Sequence, residues 1–365
     1  MDLKTALTYA SLAFFISMLW APLLIKVLFK LNVVRNLDKD FSALVGERQL
    51  KAGTPIMGGL LFVITTVAFT IATNFNGQTY IPLIVILLSA GLGGFDDLSN
   101  IFGQKRTVRS IEKHIKLAKI HKSPSKRLWL WLTLPYNIYT NIWYALGSYP
   151  NKGLQAGEKI IIQILTGGAV AWWLYYELGW QSIQLPLFGE LSLGWLMPLF
   201  IIFTVVSMAN AVNIADGMDG LSSGMAIIAF SAFLMIALTE GKAEMVILIS
   251  TIIGSLIAYL YFNIKPARFQ MGDVGSLALG ALLAVVAFVL GKIALLPIIG
   301  FMFVAEIGSS LLQGVYRRLT GMRLFKMAPL HLHFQIKGWS EEKTVMRFWV
   351  AAAVLALIGL LINYL

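Results

Sequence analysis

A chain of 365 residues that is 58% apolar and only 13% charged lies far below the roughly 25% charge of soluble domains, which excludes a string of ordinary water-soluble modules. Its net charge of +11 comes from Lys and Arg clustered in a few loops, a pattern that suits anionic lipid head groups and the positive-inside rule rather than nucleic acid. It has no cysteine, so disulfides, thiol catalysis and Cys-ligated zinc are excluded.

Apolar windows of about 20 residues, enough to cross a hydrocarbon core of about 30 Å, predict an all-α polytopic membrane protein of about ten transmembrane helices. They fall at 6–29, 55–74, 79–97, 158–176, 194–211, 221–239, 243–262, 274–291, 293–314 and 345–364. Their apolar runs are continuous rather than alternating, which argues against a β-barrel. The first, Ala6 to Phe29, lacks a small-residue cleavage site and reads as a retained helix rather than a signal peptide. Loop charge then alternates. Residues 30–54, 98–157, 263–272 and 315–344 are basic, whereas the loop 177–193 holds Glu177 and Glu190 and no basic residue. Basic loops face the cytoplasm, so both termini are expected on the outer, periplasmic side.

One stretch tests this parity. Leu128 to Gly147 is apolar and rich in Trp and Tyr, but it contains Pro135, Asn137, Thr140 and Asn141. It reads as an interfacial or re-entrant hairpin, because Trp and Tyr favour the membrane interface. Upstream, Arg106 to Arg127 reads as a basic amphipathic helix on anionic lipid, or as a plain solvated helix. His114 and His121, within it, read as surface residues.

Five acids carry the chemistry. Asp96, Asp97, Asp216, Asp219 and Asp273 sit at or just past the ends of apolar windows, where a carboxylate is costly unless it pairs with a cation or reacts. The topology above brings all five to the cytoplasmic face, which suggests a metal and a phosphate-bearing substrate. In GGFDD (Gly93–Asp97), neighbouring carboxylates suit magnesium, which prefers carboxylate, phosphate and water oxygens; the bland alternative is a helix cap or a salt bridge to loop lysines. In NAVNIADGMDGL, Asn213, Asp216 and Asp219 recur every three residues and would share one broad face of a helical turn. There they could hold sugar hydroxyls, a nucleoside or phosphate-bound metal, or simply form an Asx-capped polar turn. In MGDVGS, Asp273 precedes a helix N-terminus, which attracts phosphate and which Asp also caps well. In APLHLHF, His331 and His333 would align on one side of an extended loop and contact phosphate; zinc would need ligands that are not nearby. Lys51, just before a Thr-Pro turn, suits substrate phosphate or membrane-surface anchoring.

Together TPIMGG, the DD pair, NAVNIADGMDGL, FN with MGDVGSL, and RLFKMAPLHLHF followed by VMRFW occur in an order that resembles the phospho-N-acetylmuramoyl-pentapeptide transferases, or translocase I, among the polyprenyl-phosphate N-acetylhexosamine-1-phosphate transferases. The resemblance covers Lys51 to Trp349 apart from 104–152. It implies a single ten-helix transferase domain spanning 1–365, a homodimer in the bacterial cytoplasmic (inner) membrane with its active site on the cytoplasmic face. The implied reaction passes phospho-MurNAc-pentapeptide from UDP-MurNAc-pentapeptide to undecaprenyl phosphate, giving lipid I and UMP, with Mg2+ as cofactor. Carried over by motif, Asp273 would be the principal magnesium ligand, Asp96 the candidate base or orienting group for the lipid phosphate, and Asp97 its partner. Asn213, Asp216 and Asp219 would line the nucleotide and diphosphate site, and Lys51, Lys159, His331 and His333 would contact substrate.

The chain departs from that pattern at Asn100, where the family has Lys, at Leu332 inside the histidine motif, and at Gln335, where the family has Glu. It has Gln270 where the family places the Phe that stacks on uracil, which leaves the neighbouring Phe269 to take over or base recognition to differ. Residues 104–152 form an atypical insertion. The nearest alternative is a related transferase of GlcNAc-1-phosphate. A secondary transporter would place its acids near the bilayer midplane rather than at one edge, and a structural membrane protein would leave the acids without a purpose.

Overall fold

The computed structural model describes residues 2–35, 53–103, 108–145 and 153–365; Lys51 and the two ends of the insertion lie outside them. Helices occupy all ten predicted windows. Seven are long and apolar enough to cross a membrane: α1 (Leu3–Lys30), α3 (Tyr80–Phe102), α8 (Met197–Ala215, with its leading turn from Gly194), α9 (Leu221–Thr239), α10 (Ala243–Asn263), α11 (Gly272–Val289) and α15 (Glu341–Tyr364). A short α12 (Leu296–Ile299) and α13 (Phe301–Thr320) meet at a 76° bend and make an eighth crossing if taken as one span.

The other two windows fall short of that length. α2 (Leu60–Thr73) begins late, because the chain before it is spent on backbone pairing. There Gly58 N–H donates to the Gln270 carbonyl at 2.7 Å and Gly59 N–H to the Met271 carbonyl at 3.0 Å. α7 (Ala156–Trp172) loosens into a π-turn over Trp173–Glu177. The expected all-α class also needs an addition. The loop 177–193 folds into an antiparallel hairpin, β1 (Ser182–Leu185) against β2 (Gly189–Ser192), with Ser182 opposite Ser192.

α11 is the axis of the bundle. Its residues Val274 through Phe288 are all buried, and it packs on α3 and α8. Glycines let the backbones touch: a Cβ on Gly93 of α3 would overlap the carbonyl of Asp273. α10, also buried along most of its length, packs between α1 and α9. α1 and α15 are largely exposed, as helices facing lipid should be.

The insertion differs from expectation in two ways. The basic stretch is not one helix: α4 (Ile111–Ile120) stops at extended His121, and Pro124, which has no N–H to continue a helix, opens α5 (Pro124–Leu132). α6 (Leu134–Ala145) follows, so the aromatic stretch is two short helices rather than a span. His114 is a core residue rather than a surface one. It is buried, and its Nε2 lies 2.8 Å from the Leu130 carbonyl, tying α4 to α5.

Candidate active site

Four helices bring their polar ends together. Asp96 stands near the C-terminal end of α3, Lys159 in the first turn of α7, Asn213 in the last turn of α8, and Asp273 in the first turn of α11. Lys159 Nζ lies 2.8 Å from Asp96 Oδ2 and 2.6 Å from Asp273 Oδ2, so one ammonium bridges two carboxylates. Asn213 Nδ2 donates to Asp273 Oδ1 and to Ser276 Oγ, both at 2.8 Å. Asp96 is almost fully buried. It accepts from the Leu154 amide at 2.6 Å and from Asn100 Nδ2 at 2.8 Å. Asn100, in the place where a lysine is expected, also accepts from the Gly153 amide at 3.0 Å. It therefore fastens the exit of the insertion to the acid.

The two neighbouring aspartates do different work. Asp97 points along α11 rather than into the cluster. Its Oδ1 accepts from the Asp273 N–H at 3.1 Å and its Oδ2 from the Val274 N–H at 3.0 Å. It is an N-cap supplied in trans, from another helix, to two of the orphan amides at the start of α11. Gly272, at φ +72°, makes the turn that aims these amides; a side chain there would also press on Asp97 Oδ2. Asp97 thereby sets the position of Asp273.

The expected common face for Asn213, Asp216 and Asp219 does not form, because α8 ends at Ala215 and the chain turns. Asn213 faces Asp273. Asp216 accepts from Ser222 Oγ at 2.5 Å. Asp219 accepts from the Ala267 amide at 3.2 Å, while its own N–H donates to Glu341 Oε1 at 2.9 Å. Burial, reinforced by the charge of Asp219 and opposed by the Ser222 hydrogen bond, pushes the Asp216 carboxyl up to about 7. A cavity of about 120 Å³ opens beside Asp219, lined also by Lys265, Glu341 and Trp349.

The histidines likewise part company. They lie on a helix, α14 (Leu330–Ile336), not on an extended loop, and two residues along a helix is a turn of about 200°. His331 is buried against Glu306 of α13: its Nδ1 is 2.8 Å from Glu306 Oε2, and its N–H donates to Oε1 at 3.1 Å. His331 Nε2 has no hydrogen-bond partner among the described residues. His333 instead accepts from the Lys326 N–H through Nδ1 at 3.2 Å and meets Phe325 and Phe334 edge-on. Partial burial, together with the charges of Lys337 and Lys326, lowers its pKa.

Phe269 does not replace the missing base-stacking ring. It is fully buried between Tyr259 and Phe262, at centroid distances of 5.1 and 6.0 Å. Gln270 accepts from Arg35 Nη1 at 2.9 Å. Two further acids, Glu306 and Glu341, belong to none of the sequence motifs. Glu306 stands out only as the one acid in the apolar window 293–314; Glu341 looks like an ordinary first-turn acid.

The cluster suits a divalent cation. Asp96 and Asp273 converge on one cationic atom, and carboxylate oxygens are the hard donors that magnesium takes, commonly one or two of them with substrate phosphates and water completing the shell. Among the described residues no group of three His, Asp or Glu is gathered as an all-protein cage.

Comparison with known proteins places these residues in context. A family model described as glycosyl transferase family 4 matches residues 143–291, the stretch that carries Lys159, Asn213, Asp216, Asp219 and Asp273. A protein of Latilactobacillus sakei is 35% identical over 318 residues, 86% of this chain and 85% of its own. One from Bacillus licheniformis is 32% identical over 96% of both chains, and one from Bacillus subtilis 32% identical over 96% of both. All three bear the name phospho-N-acetylmuramoyl-pentapeptide-transferase.

Proposed function

The chain belongs to the phospho-N-acetylmuramoyl-pentapeptide-transferase family, and from that premise we propose that it transfers phospho-MurNAc-pentapeptide from UDP-MurNAc-pentapeptide to undecaprenyl phosphate, releasing lipid I and UMP. The observation that carries this reading is the Asp96–Lys159–Asp273 bridge, a charge arrangement built to exchange one cation for another around a diphosphate.

A lipid phosphate oxygen attacks the β-phosphorus of the donor, and the bond to the bridging oxygen breaks, so that charge builds on the departing UMP. Lys159 is placed to accept that charge through its ammonium, the kind of prearranged electrostatic stabilisation that dominates such transfers. Asn213 orients Asp273 through the 2.8 Å hydrogen bond. Asp96, held by the Leu154 amide and Asn100, orients the lipid phosphate. That phosphate has a second pKa of about 6 and needs no strong base. Asp273, with Asp96, would hold a magnesium ion, which when bound neutralises the diphosphate. Asp97 holds the start of α11 in place. Asp216 and Asp219 line the nucleotide and diphosphate site, and Lys51, His331 and His333 contact substrate, His331 under the orientation of Glu306.

The alternating basic loops support ten crossings in the bacterial cytoplasmic membrane, both termini outside, and the acid cluster at the cytoplasmic face. The protein works as a homodimer. The test is release of UMP by purified protein given magnesium, undecaprenyl phosphate and either UDP-MurNAc-pentapeptide or UDP-GlcNAc. Release with the first donor is expected. Release with only the second would assign the chain to GlcNAc-1-phosphate transfer, and release with neither would end the transferase reading. Asp273→Asn should abolish turnover with little loss of folded protein.

A further inference from the structure

The insertion presents a surface that the rest of the fold leaves uncovered. None of the nine residues of α5 is buried, and Leu128, Trp129 and Leu132 are 62%, 66% and 66% exposed. Their spacing of i, i+1 and i+4 puts them on one stripe of the helix. Lys126 and Arg127 stand exposed at the start of the same helix, and Lys116 and Lys119 stand exposed on α4. From Arg109 to Arg127 there are seven Lys or Arg and a single acid, Glu112. The inner side of the insertion is closed by its own contacts: His114 reaches the Leu130 carbonyl, and Asn137 Nδ2 donates to the Arg109 carbonyl at 2.9 Å.

An uncovered Trp-Leu stripe marks a docking surface. Flanking lysines and arginines select an anionic occupant, and the ring of Trp sits well at the depth of lipid head groups. A second copy of this chain fits worse, since a two-fold contact through this patch would set the cations of both copies against each other. We propose that α4–α6 form a docking platform for anionic lipid head groups, with Trp129 seated in the membrane interface. The platform bears directly on the acid cluster. The Tyr136 hydroxyl donates to Glu158, beside Lys159. Gly157 lies so close to Trp143 and Tyr139 that no Cβ would fit. Seating α6 on the membrane therefore steadies the first turn of α7.

The test is tryptophan fluorescence of the full-length protein in lipid nanodiscs containing brominated phosphatidylglycerol or brominated phosphatidylcholine. Subtracting the signal of Trp129→Phe/Trp131→Phe isolates the two platform rings. Brominated phosphatidylglycerol should quench that signal at least about twofold more than brominated phosphatidylcholine. The preference should vanish in Lys116→Gln/Lys119→Gln/Lys122→Gln/Lys126→Gln. It should vanish equally for the unaltered protein in about 1 M NaCl, where charges are screened beyond about 3 Å, so the result does not depend on the variant folding. Equal quenching by both lipids would overturn the anionic assignment, and no quenching by either would overturn docking altogether. Disulfide linking of two copies carrying Leu132→Cys, in a chain that has no other cysteine, would give the surface to a second copy instead. Because the readout is fluorescence and not turnover, failure here leaves the transferase reading standing.

Discussion

The paired aspartates and the spaced histidines look alike as motifs, yet both aspartates are drawn to the start of α11, Asp96 into the cluster and Asp97 as the helix cap, while the histidines are pulled apart. Around Asp273, helices α3, α7, α8 and α11 each contribute a polar side chain, and the contacts run between residues 60 to 177 positions apart. Around α14, His331 turns inward to Glu306 while His333 turns outward to the Lys326 backbone. What separates the two regions is where the partners come from. Charges in the first are satisfied by other charges from distant helices. In the second only one histidine finds a carboxylate, because helical rotation sends the other elsewhere.

The sharpest way to break this contrast is at Lys159. Lys159→Met leaves Asp96 and Asp273 facing each other without a cation. Removing one partner of a buried ion pair costs about 3–5 kcal/mol, and the 24% exposure of Lys159 favours the lower end. Turnover should be lost. The unfolding midpoint in detergent should fall in chelator and recover when magnesium is added; a midpoint indifferent to magnesium would mean that the two acids do not share a cation.

Glu306→Ala asks whether the histidine region depends on a single carboxylate. It strips the acceptor from both the His331 ring and its backbone amide, at about 1–3 kcal/mol of stability, and should raise KM for the nucleotide donor. His333→Ala should stay within about 0.5 kcal/mol of the parent in stability. Equal effects of the two changes would erase the difference between the histidines.

Asp97→Ala removes the cap on α11 and should cost about 1 kcal/mol. Asp97→Asn keeps an acceptor and should lose less, in both unfolding midpoint and turnover. If Asp97→Asn were as inactive as Asp273→Asn, Asp97 would be acting on substrate and not on the helix.

The effect that depends on pH is expected at Asp216. Its carboxyl normally titrates near 3.8 but is pushed up to about 7 in the fold. The folded chain thus keeps a proton that the unfolded chain has already lost, and this group's contribution to stability falls as pH rises from about 4 to about 7. Asp216→Asn should remove that fall, so its stability relative to the parent should improve between pH 5 and pH 8. A difference independent of pH would place Asp216 in an ordinary, solvated environment.

Much of the molecule is legible in the order of its residues alone. The apolar windows coincide with the long helices of the bundle, since burial in lipid or among other helices leaves the same continuous mark on the sequence. The five acids stand out because a charge at the edge of such a window is costly, and Lys159 because the family motif carries it. Local spacing misleads wherever it is taken to set direction. A shared face for Asn213, Asp216 and Asp219 fails because α8 ends before the second of them. Phe269, a candidate for stacking on a base, is buried instead. Glu341 gives no signal of its own, because its role appears only when it meets the Asp219 amide, 122 residues earlier.

By itself the chain determines its solvent, its helices and the residues that must be kept from lipid, since hydrophobicity and charge act on each residue wherever it sits. Only the packing of α3, α7 and α8 around α11 decides which of those residues meet. An ammonium between two carboxylates and a carboxylate across two amides are both set by distances of about 3 Å, and such distances exist only once separate helices have been brought side by side.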